Sequence, residues 1–117
     1  MNHRTDILDL RTALDVLRQT PGQLVETDVE VDPEAELSGV YRYVGAGGTV
    51  MRPTKVDGPA MVFHNVKGHP DTSVAIGVLA SRQRVANLFG VKKEELGHLL
   101  CECAKNPIQP IVTHEPA

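Results

Sequence analysis

Two histidines near the middle of the sequence have the side-chain chemistry to transfer protons. His64 and His69 lie in GPAMVFHNVKGHP, residues 58–70, where a short apolar run passes directly into polar residues. A catalytic histidine needs an orienting carboxylate and a nucleophile or substrate proton within hydrogen-bond reach. Asp71 is the one obvious carboxylate, and no nucleophile accompanies the pair. The pattern therefore favours a core strand and its turn, and an independent enzyme using both histidines is the weaker alternative.

A glycine-rich stretch, GAGGTVMRPTKVDGP at residues 45–59, is similar to a phosphate-binding loop in its glycine content but not in its position relative to the predicted elements. Phosphate-binding loops follow a strand and open a helix whose amino terminus faces the anion, whereas this stretch follows a predicted helix. Its length indicates a functional or docking role. Arg52 and Lys55 are candidates for holding an anion or an acidic partner, although exposed bases are usually just solvated.

The two cysteines do not predict a metal site. Cys101 and Cys103 lie in a predicted helix, where residues two apart point about 200° away from each other. His98 and Cys101 share a helix face, but no second ligand pair follows at a suitable spacing. We expect Cys103 to be buried. Two cysteines are also too few for a disulfide framework and fit a reducing compartment.

Composition restricts the class of protein. A chain of 117 residues is long enough for one domain with a modest core. A net charge of −3 and 3% aromatic residues without tryptophan argue against a nucleic-acid partner. No apolar run approaches the length of a membrane span. We therefore expect a cytoplasmic protein that binds neither nucleic acid nor membrane.

Apolar spacing and turn residues predict an α+β fold with a small mixed β-sheet and about four helices packed on it. The predicted helices are residues 9–20, 32–45, 81–90 and 92–106, and the predicted strands are QLVETDVEV, AMVFHNV and VAIGVLA. The run beyond Asn106 contains three prolines and is predicted to be an edge strand or a linker.

Several helix ends have specific predictions. Asp6 or Asp9 is expected to cap the first helix, and Ser81 to cap the third, which Gly90 ends. Asp32 as N-cap with Pro33 at the first helical position is the clearest start, and Gly45 is expected to close that helix in the left-handed conformation. In the first predicted strand and its extension, the candidates for burial are Leu24, Val29 and Val31.

Four ordered motifs resemble the N-terminal domain of the UbiD-type decarboxylases. They are DLRxxL at residues 9–14, ETDxxVDPxAEL at 26–37, GPAMxFxNVKG at 58–68 and ASRxRVA at 80–86. The resemblance extends over residues 9–112. YRYVGAGGTVxRPT at residues 41–54 is similar to an extended loop of the subgroup that acts on protocatechuate, gallate or 4-hydroxybenzoate.

The resemblance implies a reversible, non-oxidative decarboxylation in a protein several times this length. In that family the reaction uses prenylated FMN with Mn²⁺ and K⁺, and the cofactor pocket and the glutamate–arginine–glutamate catalytic set belong to later domains. Accordingly, the resemblance assigns no catalytic, cofactor-binding or metal residue to this chain. It implies an N-terminal α+β domain at residues 1–112 and a linker or tail at residues 113–117.

We expect this domain to be mainly structural and to contact the remaining domains or a separate subunit of a decarboxylase, which is expected to be a homo-oligomer. The candidate contact region is residues 50–57 together with the turn after the second predicted strand. The candidate contact residues are Arg52, Lys55, Asn65 and Lys67. The alternative is a stand-alone accessory or regulatory module whose loop binds a small anion or a partner protein.

Overall fold

A three-stranded mixed sheet carries helices on both faces. The computed structural model describes residues 3–47 and 57–116. In this part of the chain the elements are α1 (Leu10–Arg18), β1 (Leu24–Thr27), α2 (Glu36–Val44), β2 (Ala60–Phe63), β3 (Val74–Ile76), α3 (Arg82–Phe89) and α4 (Leu96–Lys105), with a 3-10 turn (Lys93–Glu95) before α4. The predicted α+β class, the mixed sheet and the four helices are confirmed.

The strands lie in the order β1-β2-β3, so β2 is central. β1 and β2 are parallel, with Thr27 opposite Phe63, and β2 and β3 are antiparallel, with Met61 opposite Ile76. A parallel pair requires a crossover connection, and α2 lies within it. All four residues of β2 are buried, and a turn follows. The prediction that residues 58–70 form a core strand and its turn is confirmed.

Each face of the sheet has its own apolar core, because successive side chains of a strand point to opposite faces. On the α2 face, the buried residues are Val31, Leu37, Met61, Phe63 and Val66. On the α1 face, which α1 and α3 cover, they are Leu14, Leu17 and Val62, with Leu24, Ala75, Val78 and Leu88 packed against them. The modest core expected from the chain length is therefore split into two layers by the sheet.

The helix caps of α1 and α3 are as the sequence predicts. The Asp9 carboxylate accepts a hydrogen bond from the backbone N–H of Thr12 at 2.8 Å, and the Thr12 hydroxyl accepts from the N–H of Asp9 at 3.1 Å. The Ser81 hydroxyl accepts from the N–H of Arg84 at 3.3 Å, and Gly90 ends α3 with a φ of 71°. These contacts satisfy backbone groups that a helix end leaves unpaired.

The predicted start of α2 is wrong, and Gly45 ends the helix as predicted but not in the left-handed conformation. The helix begins at Glu36, after Ala35 at a φ of 66°, and Gly45 at its end has a φ of −86°. The Asp32 carboxylate accepts from the N–H of Glu34 at 2.8 Å, two residues on, and therefore organises a turn. The N–H of Asp32 in turn donates to the Glu36 carboxylate at 3.1 Å, which links this turn to α2.

Three further predictions need correction or qualification. The first strand ends at Thr27, and Val29 is 74% exposed, whereas Val31 is buried and bridges to Val66. Cys103 is exposed, because α4 buries Leu96 and Leu99 instead. Residues 107–116 form no regular structure, which agrees with the linker alternative for that segment.

Candidate interdomain surface

An ion-pair network joins α1, β1 and the turn after β2. Arg18 donates two hydrogen bonds to the Glu26 carboxylate, from Nε at 2.8 Å and from Nη2 at 2.9 Å. His64 Nε2 lies 3.0 Å from Glu26 Oε1, and its Nδ1 lies 2.9 Å from the Ser73 hydroxyl. Glu26 lies opposite Val62 in the parallel register, so His64, two residues after Val62, falls on the same face.

The network corrects the expected surroundings of His64. Its carboxylate partner is Glu26, not Asp71, and both of its ring nitrogens have partners other than His69. Serine, histidine and carboxylate in series match the order of a nucleophile, a base and an orienting group. Here, however, the two-point contact with Arg18 already compensates the charge of Glu26. We therefore assign the network a positioning role, which fastens the turn after β2 to β1 and α1.

The electrostatics of Glu26 follow from these contacts. Hydrogen bonds from Arg18 lower the pKa of Glu26 from 4.5 to about 2, partial burial opposes the shift, and His64 adds to it. In the folded chain this carboxylate therefore remains charged in solutions acidic enough to protonate it in the unfolded chain. The network consequently links the stability of the domain to pH.

We expect Glu26→Gln to destabilise the domain by about 1–2 kcal/mol near pH 7, because Arg18 and His64 lose a charged partner. The side chain is 29% exposed, so solvent screening keeps the loss below what the full pKa shift corresponds to. The folded pKa lies below the unfolded one, so the stabilisation is complete above about pH 4.5 and is lost as the pH falls toward 2. Urea unfolding across this range measures the difference.

The matched control for this variant is Glu102→Gln in α4. Glu102 pairs with Lys105 one turn away in the same helix, with both side chains largely exposed. We expect this substitution to change the free energy of unfolding by less than about 0.5 kcal/mol at either end of the pH range. Equal losses in the two variants would contradict a special role for the Glu26 network.

Asn65 and Lys67, two of the predicted contact residues, have partners within the domain. The Asn65 amide donates to the carbonyl oxygen of Asp28 at 3.2 Å, and Lys67 Nζ lies 3.5 Å from the Asp32 carboxylate. The Lys67 side chain is 63% exposed, so a second partner can reach it. Arg52 and Lys55 lie outside the described residues. The contact role of these four residues remains a prediction.

At the opposite end of the sheet, Arg84 is completely buried. Its guanidinium donates to the carbonyl oxygens of Gly58 at 2.8 Å, Gly77 at 2.6 Å and Val78 at 3.0 Å, and Nη1 lies 3.3 Å from the Gln23 side-chain oxygen. Burial lowers the pKa of Arg84. The planar fork of donors thereby ties α3 to the segments flanking all three strands.

The two ends of the connection between α2 and β2 pass each other at backbone distance. A Cβ on Gly58 would lie 2.6 Å from the carbonyl carbon of Gly45, and one on Gly45 would lie 2.8 Å from the carbonyl oxygen of Pro59. The Ser81 hydroxyl also donates to the Asp57 carboxylate at 3.3 Å. Glycine at both positions therefore allows the backbone of residue 45 and the backbone of residue 58 to approach this closely.

A groove of about 370 Å³ runs beside β1 on the α2 face, where α2 leaves part of the sheet uncovered. We call it the β1 groove. Its apolar lining is Val25, Val29, Val40, Met61 and Phe63, and the exposed carboxylates of Glu30 and Glu36 stand at its rim. Apolar side chains with a polar rim are one of the arrangements found where a protein contacts a partner.

The described residues offer no grouped set of ligands for the metals that the resemblance implies. A second cavity, of about 500 Å³, is lined by His98 and Cys103 of α4 together with His3 and Ile108. No three His, Cys, Asp or Glu side chains within residues 3–47 and 57–116 are grouped so that they could hold a metal ion. No metal-dependent step is therefore assigned to the described residues.

The family can be assigned from a direct match. Residues 16–104 match the family model for the 3-octaprenyl-4-hydroxybenzoate carboxy-lyase N-terminal domain. The chain belongs to the UbiD N-terminal domain family. The resemblance found in the sequence motifs is thus confirmed.

Two relatives of this UbiD N-terminal domain match most of it. It is 58% identical over 102 residues to a gallate decarboxylase of Lactiplantibacillus plantarum, a match that covers 87% of this chain and 21% of that protein. It is 30% identical over 101 residues to an uncharacterized protein of Chlamydia trachomatis, covering 86% of this chain and 16% of the other. The UbiD N-terminal domain thus spans about a fifth or less of the length of these relatives.

Solved structures show the same arrangement. A 3,4-dihydroxybenzoic acid decarboxylase of Enterobacter cloacae superposes with a TM-score of 0.82 at 49% identity, over 93% of this chain and 22% of that one. The enzyme of the same name from Klebsiella pneumoniae gives a TM-score of 0.80 at 50% identity, over 89% of this chain and 21% of that one.

In the part of the chain that the structure describes, none of the helices has the length and apolar character to cross a bilayer.

Proposed function

We propose that this chain is the N-terminal domain of a non-oxidative decarboxylase of hydroxylated aromatic acids, and that it supplies scaffold while the chemistry belongs to the rest of the enzyme. The observation that carries the proposal is the partial match at high identity. The chain is 58% identical to a gallate decarboxylase but corresponds to only 21% of its length. Most of the corresponding enzyme is therefore outside this chain.

Two structural features support a scaffold role. The polar groups of the buried Arg84 and of the Arg18–Glu26–His64 network form hydrogen bonds within the domain. The features that remain open to a partner are surfaces, namely the β1 groove and the largely exposed side chain of Lys67. Prenylated FMN, Mn²⁺ and K⁺ belong to the complete enzyme in this proposal, which also includes a cytoplasmic location and assembly into a homo-oligomer.

The test is a chimaera in which this chain replaces the corresponding N-terminal fifth of the L. plantarum gallate decarboxylase. We expect the chimaera to release carbon dioxide from gallate or 3,4-dihydroxybenzoate when prenylated FMN and Mn²⁺ are supplied. Two controls are the same enzyme without its N-terminal fifth and this chain alone, both of which should be inactive. Comparing the two substrates in the chimaera also shows whether this domain influences substrate choice.

Two results would count against the proposal. Decarboxylation by the isolated chain, loaded with the same cofactors, would place chemistry within these 117 residues. A chimaera no more active than the shortened enzyme would show that the chain does not replace the N-terminal fifth. The alternative of a stand-alone binding module predicts this second result.

A further inference from the structure

β1 has one edge without a partner in the described part of the sheet. The carbonyl oxygens of Gln23 and Thr27 accept hydrogen bonds from the segment that contains β2. In a parallel ladder the residues between them alternate, so the backbone N–H and C=O groups of Leu24 and Glu26 point away from β2. These groups are available to a further strand, since an unpaired edge is a template for strand addition.

The β1 groove lies directly beside this edge. Its lining includes three consecutive residues of the strand, from Val25 to Thr27, so the edge backbone forms one of its walls. Its floor is apolar, with Met61 and Phe63 almost fully buried, whereas Val25 and Val40 remain 39% and 37% exposed. A strand added to β1 would place alternate side chains onto Val25 and Val40.

We propose that the free edge of β1 and the β1 groove bind one extended segment of the catalytic portion of the decarboxylase, which adds a fourth strand to the sheet. This inference rests on the function proposed above. The segment has apolar side chains facing the groove and at least one lysine or arginine. That base pairs with the carboxylates of Glu30 and Glu36, both of which are exposed at the rim.

Charge favours this occupant over a second copy of the chain. Two copies of the chain paired through β1 would bring the rim carboxylates Glu30 and Glu36 of both copies close together, and like charges facing each other are unfavourable. The catalytic portion is also large enough to provide the segment. The gallate decarboxylase is about five times the length of the matched region, because the match covers 21% of it.

The experiment uses the chimaera with a specific protease site placed after residue 112. After cleavage, the dissociation constant between the two parts is measured by analytical gel filtration over a range of concentrations. We expect Val29→Asp and Val40→Asp each to weaken association by about 10-fold or more. Val29 is 74% exposed and Val40 37% exposed, so unfolding of the domain is not the expected effect, and circular dichroism of each variant checks this.

The matched control is Leu100→Asp in α4, which introduces the same charge at an exposed apolar residue outside the groove. We expect it to change the dissociation constant by less than about 2-fold. A second measurement follows amide hydrogen exchange at Leu24 and Glu26. Both amides should exchange more slowly in the intact chimaera than in the isolated chain, because strand addition pairs them.

The outcomes separate the two proposals. An inactive chimaera, or one whose parts do not associate after cleavage, overturns the proposed function and this inference with it. An active, associated chimaera in which the Val29 and Val40 variants bind like the Leu100 variant, with unchanged exchange at Leu24 and Glu26, overturns this inference alone. Groove variants that dissociate a dimer of the isolated chain without weakening the chimaera would identify a second copy as the occupant and also overturn it.

Discussion

Replacing the buried Arg84 with methionine is expected to lower the free energy of unfolding by about 3–5 kcal/mol. The guanidinium is the donor for carbonyl oxygens of Gly58, Gly77 and Val78, and methionine cannot donate a hydrogen bond. Each acceptor left unpaired in the interior costs about 1–3 kcal/mol. Methionine is close to arginine in length, so loss of hydrogen bonds rather than a large cavity dominates the effect. Urea unfolding of the chain measures the loss.

The control is Arg82→Met, two residues away in α3. Arg82 is exposed, so the same change of side chain should alter the stability by less than about 0.5 kcal/mol. Arg84→Lys is a second comparison, because lysine keeps the charge but its single nitrogen cannot reproduce a planar fork across several carbonyls. We expect it to recover less than half of the loss. Arg84 and Arg82 variants of equal stability would show that the buried hydrogen bonds contribute little.

Local signals predicted the parts of the fold that local contacts determine. Asp9 and Ser81 cap α1 and α3 by accepting hydrogen bonds from backbone groups only three residues away. Gly90 ends α3 because glycine readily adopts the left-handed backbone conformation found there. The start of α2 was mispredicted although its signal looked equally clear. The side chain of Asp32 has two local options, a helix cap or a turn with the residue two positions on, and the folded chain adopts the turn.

The polar contacts of the candidate surface depend on strand register, which the sequence does not reveal. Glu26 and His64 are separated by 38 positions and meet only because β1 and β2 pair in parallel with Glu26 opposite Val62. Two polar residues at the carboxyl ends of neighbouring strands were the available signal. Arg84 had a signal of a different kind: it precedes Leu88 by one helical turn, so a charged residue falls on the apolar stripe of α3.

The exposed side of the domain was harder to predict than its core. Val29 continues the alternating pattern of the first predicted strand, and in a longer strand it would be expected to be buried. The strand instead ends at Thr27, and Val29 joins the rim of the β1 groove. The predicted burial of Val29 is therefore wrong, although its apolar side chain lines the groove. Because the proposed covering segment is not in this chain, the sequence alone could not distinguish a core position from a docking position.

Gly58→Ala is expected to destabilise the domain by about 2–3 kcal/mol, because the added methyl group would overlap the backbone of Gly45. The added methyl group would meet backbone atoms, so no flexible side chain can move away to make room for it. Separating the two segments would also displace the carbonyl oxygen of Gly58 from Arg84. Urea unfolding measures the stability. In the chimaera, the same variant should reduce decarboxylation if the connection between α2 and β2 contacts the catalytic portion.

Gly39→Ala is the same chemical change, but we expect it to stabilise the domain. Gly39 lies within α2, and no atom of the described residues outside the adjacent helix backbone would come within 4 Å of an added Cβ. Alanine has the higher helix propensity, so this variant should gain about 0.5–1 kcal/mol. A destabilised Gly58 variant beside a stabilised Gly39 variant would show that the close backbone approach, rather than a general intolerance of alanine, makes glycine necessary at residue 58. Equal stability of the Gly58→Ala and Gly39→Ala variants would mean that the segments around residues 45 and 58 can separate at little cost. Glycine would then not be required at residue 58.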